Sequence, residues 1–546
     1  MRYLLFAILA VPVIFLTGEC KKSAPAAPSG GGNSCIFNGV DTCNSTVTPT
    51  SLTIDLNNVS QTIHSFGASD GWTCKFIGKW ADETKKNKIA DLLFSMDTTS
   101  DGTPKGIGLS LWRFNIGAGS FEQGDTSGIA TDWRREECFL NADGTYNWNK
   151  QAGQQWFLNA ARQRGVKYSL GFALSPPVSM TKNGKAYNAT NTTSLNIADG
   201  RLPDFAAFLA QTAQHLQFDY LSPVNEPQWT WGSTSGASQE GSQAQNAEIA
   251  DLVRDLSGKL SALGATTKTV VGEAGQWDFL YGRNTDGRGD QINQFWSSSS
   301  PNYIGNLPNT EHAISSHSYY TTCPDSTIIG IRQQVASKVR QVDASLETWQ
   351  TEFGILGNIC NLLNGSPRTT DINYGLYVAK TIHHDLTIAN VTTWQWWLAV
   401  SPYNYSDGLV YINDPSGSIN PDNCKQDGIV TDSKQLWSLG NYSRFVRPGM
   451  KRVAASIEGI GTPAAAAGSV MVSAYKDDAA KTLVIVIVNY STQQETLKLT
   501  GVSGPAAAKL NVYTTDSQHS LQHSTTAAGN IVIGSRSIVT LTGTYQ

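Results

Sequence analysis

Apolar residues fall into two textures along this chain. From about residue 62 to about residue 400, short β-rich apolar runs alternate with stretches whose apolar positions recur at helical spacing. The runs lie at 63–68, 106–116, 167–174, 220–224, 269–273, 313–319, 347–353 and 391–399. Helices are predicted between them at 85–95, 151–163, 203–216, 248–263, 328–342 and 373–388. Strands separated by helices predict a parallel sheet, and eight strands close a (β/α)8 TIM barrel. Beyond about residue 440 the pattern becomes short strands and turns, at 453–457, 470–475, 483–489, 495–499, 509–513, 530–533 and 537–542. That is the signature of an antiparallel β-sandwich. An alternating run at 50–58 precedes the barrel and is expected to join the sandwich, tying the chain ends together. The expected organisation is a catalytic barrel over 62–440, a side β-sandwich domain over 441–546, and an N-terminal strand of that sandwich over 51–61.

The first fifty residues read differently. Arg2 is followed by an apolar run over 3–16 and then Thr17, Gly18, Glu19 and Cys20. This predicts a secretory signal peptide over 1–19, its apolar stretch too short to span a bilayer as a mature helix. Cys20 stands where a bacterial lipoprotein would be lipidated, although Glu19 replaces the usual small residue before it. Residues 20–50 read as a flexible tether. An exported protein is expected, anchored at the outer membrane or cell surface through lipid on Cys20, otherwise periplasmic or secreted. The lipid is the only membrane contact expected. The eight cysteines show no CxxC or Cys/His spacing, so a metal site is not expected. In an exported chain disulfides are the default. Cys35 and Cys43 suit a local bridge. Cys74 with Cys138, and Cys323 with Cys360, would each fall on neighbouring barrel loops.

Composition narrows the partner. With 40% hydrophobic and 15% charged residues the chain is neither disordered nor a coiled coil. Lys+Arg 40 against Asp+Glu 44 leaves no basic excess to neutralise phosphates, so nucleic acid is not an expected partner. The 15 Trp and 19 Tyr, beside 5 Met, supply flat rings suited to the C–H faces of sugars. A polysaccharide or oligosaccharide is the expected partner.

In a barrel of this kind chemistry sits at the carboxyl ends of strands. The segment SPVNEP ends the fourth run on Glu226, WQTEFG ends the seventh on Glu352, and Arg113 lies on the second. Strands four and seven oppose one another across the mouth. Two facing carboxyls, one protonated and one ionised, are what glycoside hydrolysis requires. Arg113 would hold a carboxylate ionised by charge pairing, and Asn225 is placed to bond a sugar 2-hydroxyl. His317 and Tyr319 end the sixth strand, Asp70 and Trp72 follow the first, and Trp229 lies just past Glu226; with Arg113 and Asn225 they are the candidate substrate-binding residues. Trp396 on the eighth is the expected sugar platform, flanked by Trp394 and Trp397. Glu273 ends the fifth strand as a third carboxylate, either a hydroxyl ligand or an ion-pair partner.

The motifs HSFGASDGW (64–72), GIGLSLWRFNIGAGS (106–120), ALSPPVSM (173–180), LSPVNEPQW (221–229), SSHSYY (315–320), WQTEFG (349–354) and TTWQWWLA (392–399) resemble those of glycoside hydrolase family 30, in the family's order. The resemblance implies a barrel with a side β-sandwich built from both chain ends. It implies retaining double displacement, with Glu226 as general acid/base and Glu352 as nucleophile, carboxyls about 5–5.5 Å apart. It implies neither cofactor nor metal, and a monomer is expected. The long form of the first two motifs resembles the bacterial branch containing β-1,6-galactanases that act on arabinogalactan side chains. Endo-β-1,6-galactanase is therefore the first expectation, with β-1,6-glucanase and xylanase next. Among other classes, a non-catalytic glycan-binding protein should lack one carboxylate, whereas both are present. A transglycosylase would share the covalent intermediate and pass the sugar to an acceptor other than water.

Overall fold

Eight parallel strands close on themselves. They are β1 (Ser65–Ser69), β2 (Leu111–Ile116), β3 (Tyr168–Ala173), β4 (Tyr220–Ser222), β5 (Lys268–Ala274), β6 (Thr310–His317), β7 (Glu347–Glu352) and β8 (Val391–Ser401). Each pairs with the next, and β8 pairs with both β7 and β1, completing the barrel. The structure is a computed structural model. It describes residues 48–546 apart from 189–191, 505 and 507, together with a short antiparallel pair, Ile36–Phe37 with Val40–Asp41. The signal, Cys20 and the Cys35–Cys43 bridge lie outside the described residues.

Every predicted run falls on a barrel strand, and the six predicted helices are Glu83–Phe94, Ala152–Gln163, Leu202–Leu216, Asn246–Ala262, Asp325–Val342 and Ile372–Thr387. Local chemistry explains their starts. Asp82 accepts a bond from the Lys85 amide, Pro203 opens the helix that begins at Leu202, and the Gln245 amide donates to Glu248. In Asn246–Ala262 the residues Ile249, Leu252, Val253, Leu256 and Leu260 share one face and are all buried against the barrel. Two further helices, Gln291–Trp296 and Lys434–Ser443, carry weaker sequence signals. The first is only 6 residues long. The second follows an insertion in which Gly408–Asn413 adds in parallel to the end of β8 and Ile429–Thr431 adds antiparallel to it.

The second sheet has nine strands. Thr50–Thr62 lies inside it, antiparallel to Lys451–Ile457 on one side and parallel to Glu495–Thr500 on the other. The predicted N-terminal strand is therefore an interior member of the sheet. Thr482–Asn489, three places along the sheet from it, explains how the sheet sits. Leu483, Ile485 and Ile487 enter the sandwich's own core, while Val484, Val486 and Val488 enter the core shared with the barrel helices. Both faces are covered, so the segment reads LVIVIV without polar alternation. Pro49–Gln546 forms one compact unit. Removing residues 451–546 should expose that shared apolar face and leave insoluble barrel; soluble, fully active truncated protein in a sedimentation assay would contradict this packing.

Cys323 and Cys360 form a disulfide with Cα atoms 6.2 Å apart, joining the loops that follow β6 and β7. The Cys74–Cys138 pairing does not form. Cys74 starts the short helix Cys74–Ile77, both residues are packed into the barrel core, and both are free thiols. Burial pushes the Cys74 thiol well up and Cys138 to about 12, so neither supplies a thiolate for exchange. Among the described residues no helix is long and apolar enough to cross a membrane.

Candidate active site

The carboxyl ends of β4, β5, β6 and β7 bring four titratable groups around one guanidinium. Arg113, from the middle of β2, is fully buried. Its Nη1 donates to Glu352 Oε2 at 2.6 Å, and its Nη2 donates to Glu273 Oε2 at 2.9 Å and to Asn225 Oδ1 at 2.8 Å. The guanidinium plane lies 3.7 Å over the Phe172 ring, which holds it against lateral movement. His317, at the end of β6, bridges the acids, with Nδ1 2.7 Å from Glu226 Oε1 and Nε2 2.9 Å from Glu273 Oε2. Tyr319 donates its hydroxyl to Glu352 Oε1 at 3.0 Å, and Thr351 donates to Glu273 at 3.1 Å.

The backbone is shaped to present these groups. Glu226 sits four residues past the end of β4 at φ +45°, and Glu273 sits at φ +41° where β5 departs from regular pairing with β6. Such left-handed geometry costs on the order of 1–3 kcal/mol per non-glycine residue and persists only where the surroundings enforce it. One enforcing contact is the Glu226 amide, which donates to the Glu273 carbonyl at 2.8 Å.

Charge balance separates Glu226 from Glu273. Burial works to raise Glu273, but Arg113 and His317 outweigh it and hold it at about 2. Burial works to lower His317, yet the carboxylates of Glu352, Glu226 and Glu273 carry it up to about 10, so it is an imidazolium that donates from both nitrogens. Two cations thus face three acids. Burial raises Glu226 against the pull of His317 and Arg113, the direction a proton donor requires. Glu352 instead receives two donors, an arrangement suited to a carboxylate.

Above this cluster lies a cleft of about 810 Å³. Asn225, Glu226, Trp229, Tyr319, Glu352 and Trp72 line it, as the sequence predicts for a binding surface. Arg113 and His317, expected among the substrate-binding residues, instead stand behind the carboxyls, fully buried and outside the lining, because their charges are taken up by Glu226, Glu273 and Glu352. The cleft's discriminating feature is a pair of carboxyls, Glu226 and Glu352, with one oxygen from each within 4.8 Å of the other.

The model described as O-Glycosyl hydrolase family 30 matches residues 49–411. The chain belongs to that family. A curated relative, an endo-beta-1,6-galactanase of Hypocrea rufa, is 26% identical over 253 residues, covering 42% of this chain and 50% of its own. The chain thus spans half the length of that relative. Among solved structures, a conserved exported protein of Bacteroides fragilis matches 90% of this chain and 100% of its own at 34% identity and TM-score 0.85. The catalytic domain of the GH30 xylanase C of Talaromyces cellulolyticus shares the fold, at 23% identity and TM-score 0.63 over 91% of this chain and 100% of its own.

Two further sequence expectations need correction. Trp396 is not the platform. Its side chain is fully buried toward the helices, 5.8 Å from Phe353, and its Nε1 donates to the Asp407 carbonyl at 2.7 Å. Alternation along β8 turns Trp394 and Trp396 outward and Trp397 inward, and it is Trp397 that lines the cleft. Asp70 is also not a cleft residue. It is 1% exposed, accepts from the Asn115 amide at 2.9 Å, and burial pushes its carboxyl well up. Glu273 is an ion-pair partner, with no exposure through which to reach a hydroxyl. The sequence reading missed Arg134, which lies 4.5 Å over Trp72, and Tyr403, Tyr405 and Asp407 from the loop after β8. These belong to loops with no strand-end context to mark them; the aromatic spacing of 403 and 405 was their only signal.

Proposed function

We propose that this chain is a retaining endo-β-1,6-galactanase in which Glu226 is the general acid/base and Glu352 the nucleophile. The observation that carries the mechanism is the close approach of the two carboxyls. A gap of this size fits direct attack on the sugar, whereas an inverting enzyme needs about 6.5–9.5 Å to admit a water. Glu226 gives its proton to the glycosidic oxygen while Glu352 attacks the anomeric carbon, and the bond to the leaving sugar breaks. The resulting glycosyl ester on Glu352 is then hydrolysed by a water that Glu226, now ionised, deprotonates. Two inversions at one carbon restore the starting configuration. Arg113 and Tyr319 donate to Glu352 and aim it before attack. The Arg113 bond to Asn225 Oδ1 turns the Asn225 amide N–H outward, where it suits a sugar 2-hydroxyl. Trp72 and Trp397 supply ring faces for the bound sugars.

The galactan assignment is supported by the curated relative and by the long first two motifs. The N-terminal signal and the exported Bacteroides neighbour support an exported protein tethered through Cys20. Incubation with de-arabinosylated arabinogalactan, pustulan and glucuronoxylan tests the substrate. Release of β-1,6-galacto-oligosaccharides from the first alone is expected; activity confined to pustulan or xylan would replace the galactan reading. Proton NMR of the first-formed product should show the β-anomer, and an initial α-anomer would refute retention.

The pH profile should follow Glu226. Its acid role needs the protonated form, so kcat/KM falls as pH rises through its pKa. That limb is expected above the ordinary glutamate value of about 4.3 because burial raises Glu226. In Glu226→Gln the limb should vanish, with kcat/KM on an oligosaccharide roughly 10²–10⁴-fold lower. A persisting limb would assign it to another group.

A further inference from the structure

The two walls of the cleft come from different loops. Trp397 lies on β8, and Trp72 and Tyr403 follow β1 and β8, across the barrel mouth from the segment after β4 that carries Glu226. Trp229, Trp231 and Tyr320 follow β4 and β6 and flank it. The Trp229 amide donates to the Glu226 carbonyl at 3.2 Å and Trp231 Nε1 donates to the same oxygen at 3.2 Å, so this wall is fixed to the proton donor by backbone.

Tyr320 is the odd member. Its side chain is 79% exposed on the cleft rim, where an aromatic ring gains nothing from burial. Its backbone is at φ +58°, a strained choice for a bulky residue. The ring stands edge-on to Trp229, with centroids 5.9 Å apart and planes at 80°, and Trp229 in turn meets Phe279 edge-on at 5.6 Å. Gly275 leaves room for this stack, since a Cβ there would lie 2.1 Å from Trp229 Nε1. The Cys323–Cys360 disulfide ties the Tyr320 loop to the loop after β7. Strain, exposure and a rigid mount together describe a ring held out for a ligand.

We infer that Tyr320, braced by Trp229, is the platform for the pyranose on the leaving-group side of the cleaved bond. The inference rests on the assignment of Glu226 as the acid, because the donor stands beside the leaving sugar. Tyr320 touches no reacting atom; it selects substrates that extend past the scissile linkage. Covering about 50 Å² of ring at roughly 25 cal/mol per Å² corresponds to about tenfold in kcat/KM.

A glycosyl fluoride isolates the effect, because its leaving group is a fluoride ion that occupies no sugar site. Tyr320→Ala should lower kcat/KM about tenfold on a β-1,6-galacto-oligosaccharide and less than about twofold on the matching oligosaccharyl β-fluoride. Tyr320→Phe, which keeps the ring, should restore the oligosaccharide rate. Equal losses on both substrates would overturn the inference by placing Tyr320 at the reacting centre. Unchanged rates on both would overturn it by removing the platform. Wild-type protein that turns over neither substrate would defeat the catalytic reading itself, and this inference with it.

Discussion

Glu352→Gly protein should lose turnover on the order of a millionfold, the scale seen when a covalent nucleophile is removed, and azide should restore part of it as a product of inverted configuration. The small anion enters the space vacated by the carboxylate and attacks from the face opposite the leaving group, giving the α-glycosyl azide. The same anion added to Glu226→Gly protein should give the β-azide, because there it attacks the ester already formed on Glu352. The two variants are thus told apart by one NMR coupling constant rather than by loss of activity, which any damaging substitution produces. A β-azide from Glu352→Gly, or wild-type turnover in that variant, would remove Glu352 from the nucleophile's role. The two environments differ accordingly: Glu352 receives donors from Arg113 and Tyr319, whereas burial raises Glu226.

Arg113→Met should be the most destabilising single change in the barrel. The variant keeps the volume of the side chain and removes the charge that both Glu273 and Glu352 use. Breaking a buried pair from one side typically costs about 3–5 kcal/mol, because the remaining charge has neither water nor partner. Adding Glu273→Gln should recover part of the loss by removing one of the stranded carboxylates. The denaturant midpoints of the single and double variants, compared by circular dichroism, give the coupling between the two sites. A single-variant cost under about 1 kcal/mol would mean that the charges are solvated, contrary to their complete burial. The double variant should remain inactive, since Glu352 still lacks its cation.

The barrel was legible because parallel strands are buried on both faces and appear as unbroken apolar runs, while each helix carries an amphipathic period. Glu226 and Glu352 were legible because each ends such a run. What could not be read was orientation within a run of like residues. TTWQWWLA offers three tryptophans, and only the paired strands show which of them turns inward. The bulge between Trp396 and Leu398 further breaks the simple two-residue period. Nor does spacing tell buried thiols from bonded ones: Cys74 and Cys138 lie on loops of consecutive strands just as Cys323 and Cys360 do. Arg134 and Asp407 lie on long loops, where position depends on tertiary packing rather than on local pattern.

Thr50–Thr62 pairs with Lys451–Ile457, so the entire barrel lies between two neighbouring strands of one sheet. Chain growth therefore produces this strand before the barrel and both its partners, Lys451–Ile457 and Glu495–Thr500, after it. Until the far end emerges, a thirteen-residue ribbon with unpaired amides must stay out of other pairings. The contact order of that junction is high, and its closure belongs late in folding. Assembly of the finished molecule then waits on the arrival of the last fifth of the polypeptide, however early the catalytic half has taken shape.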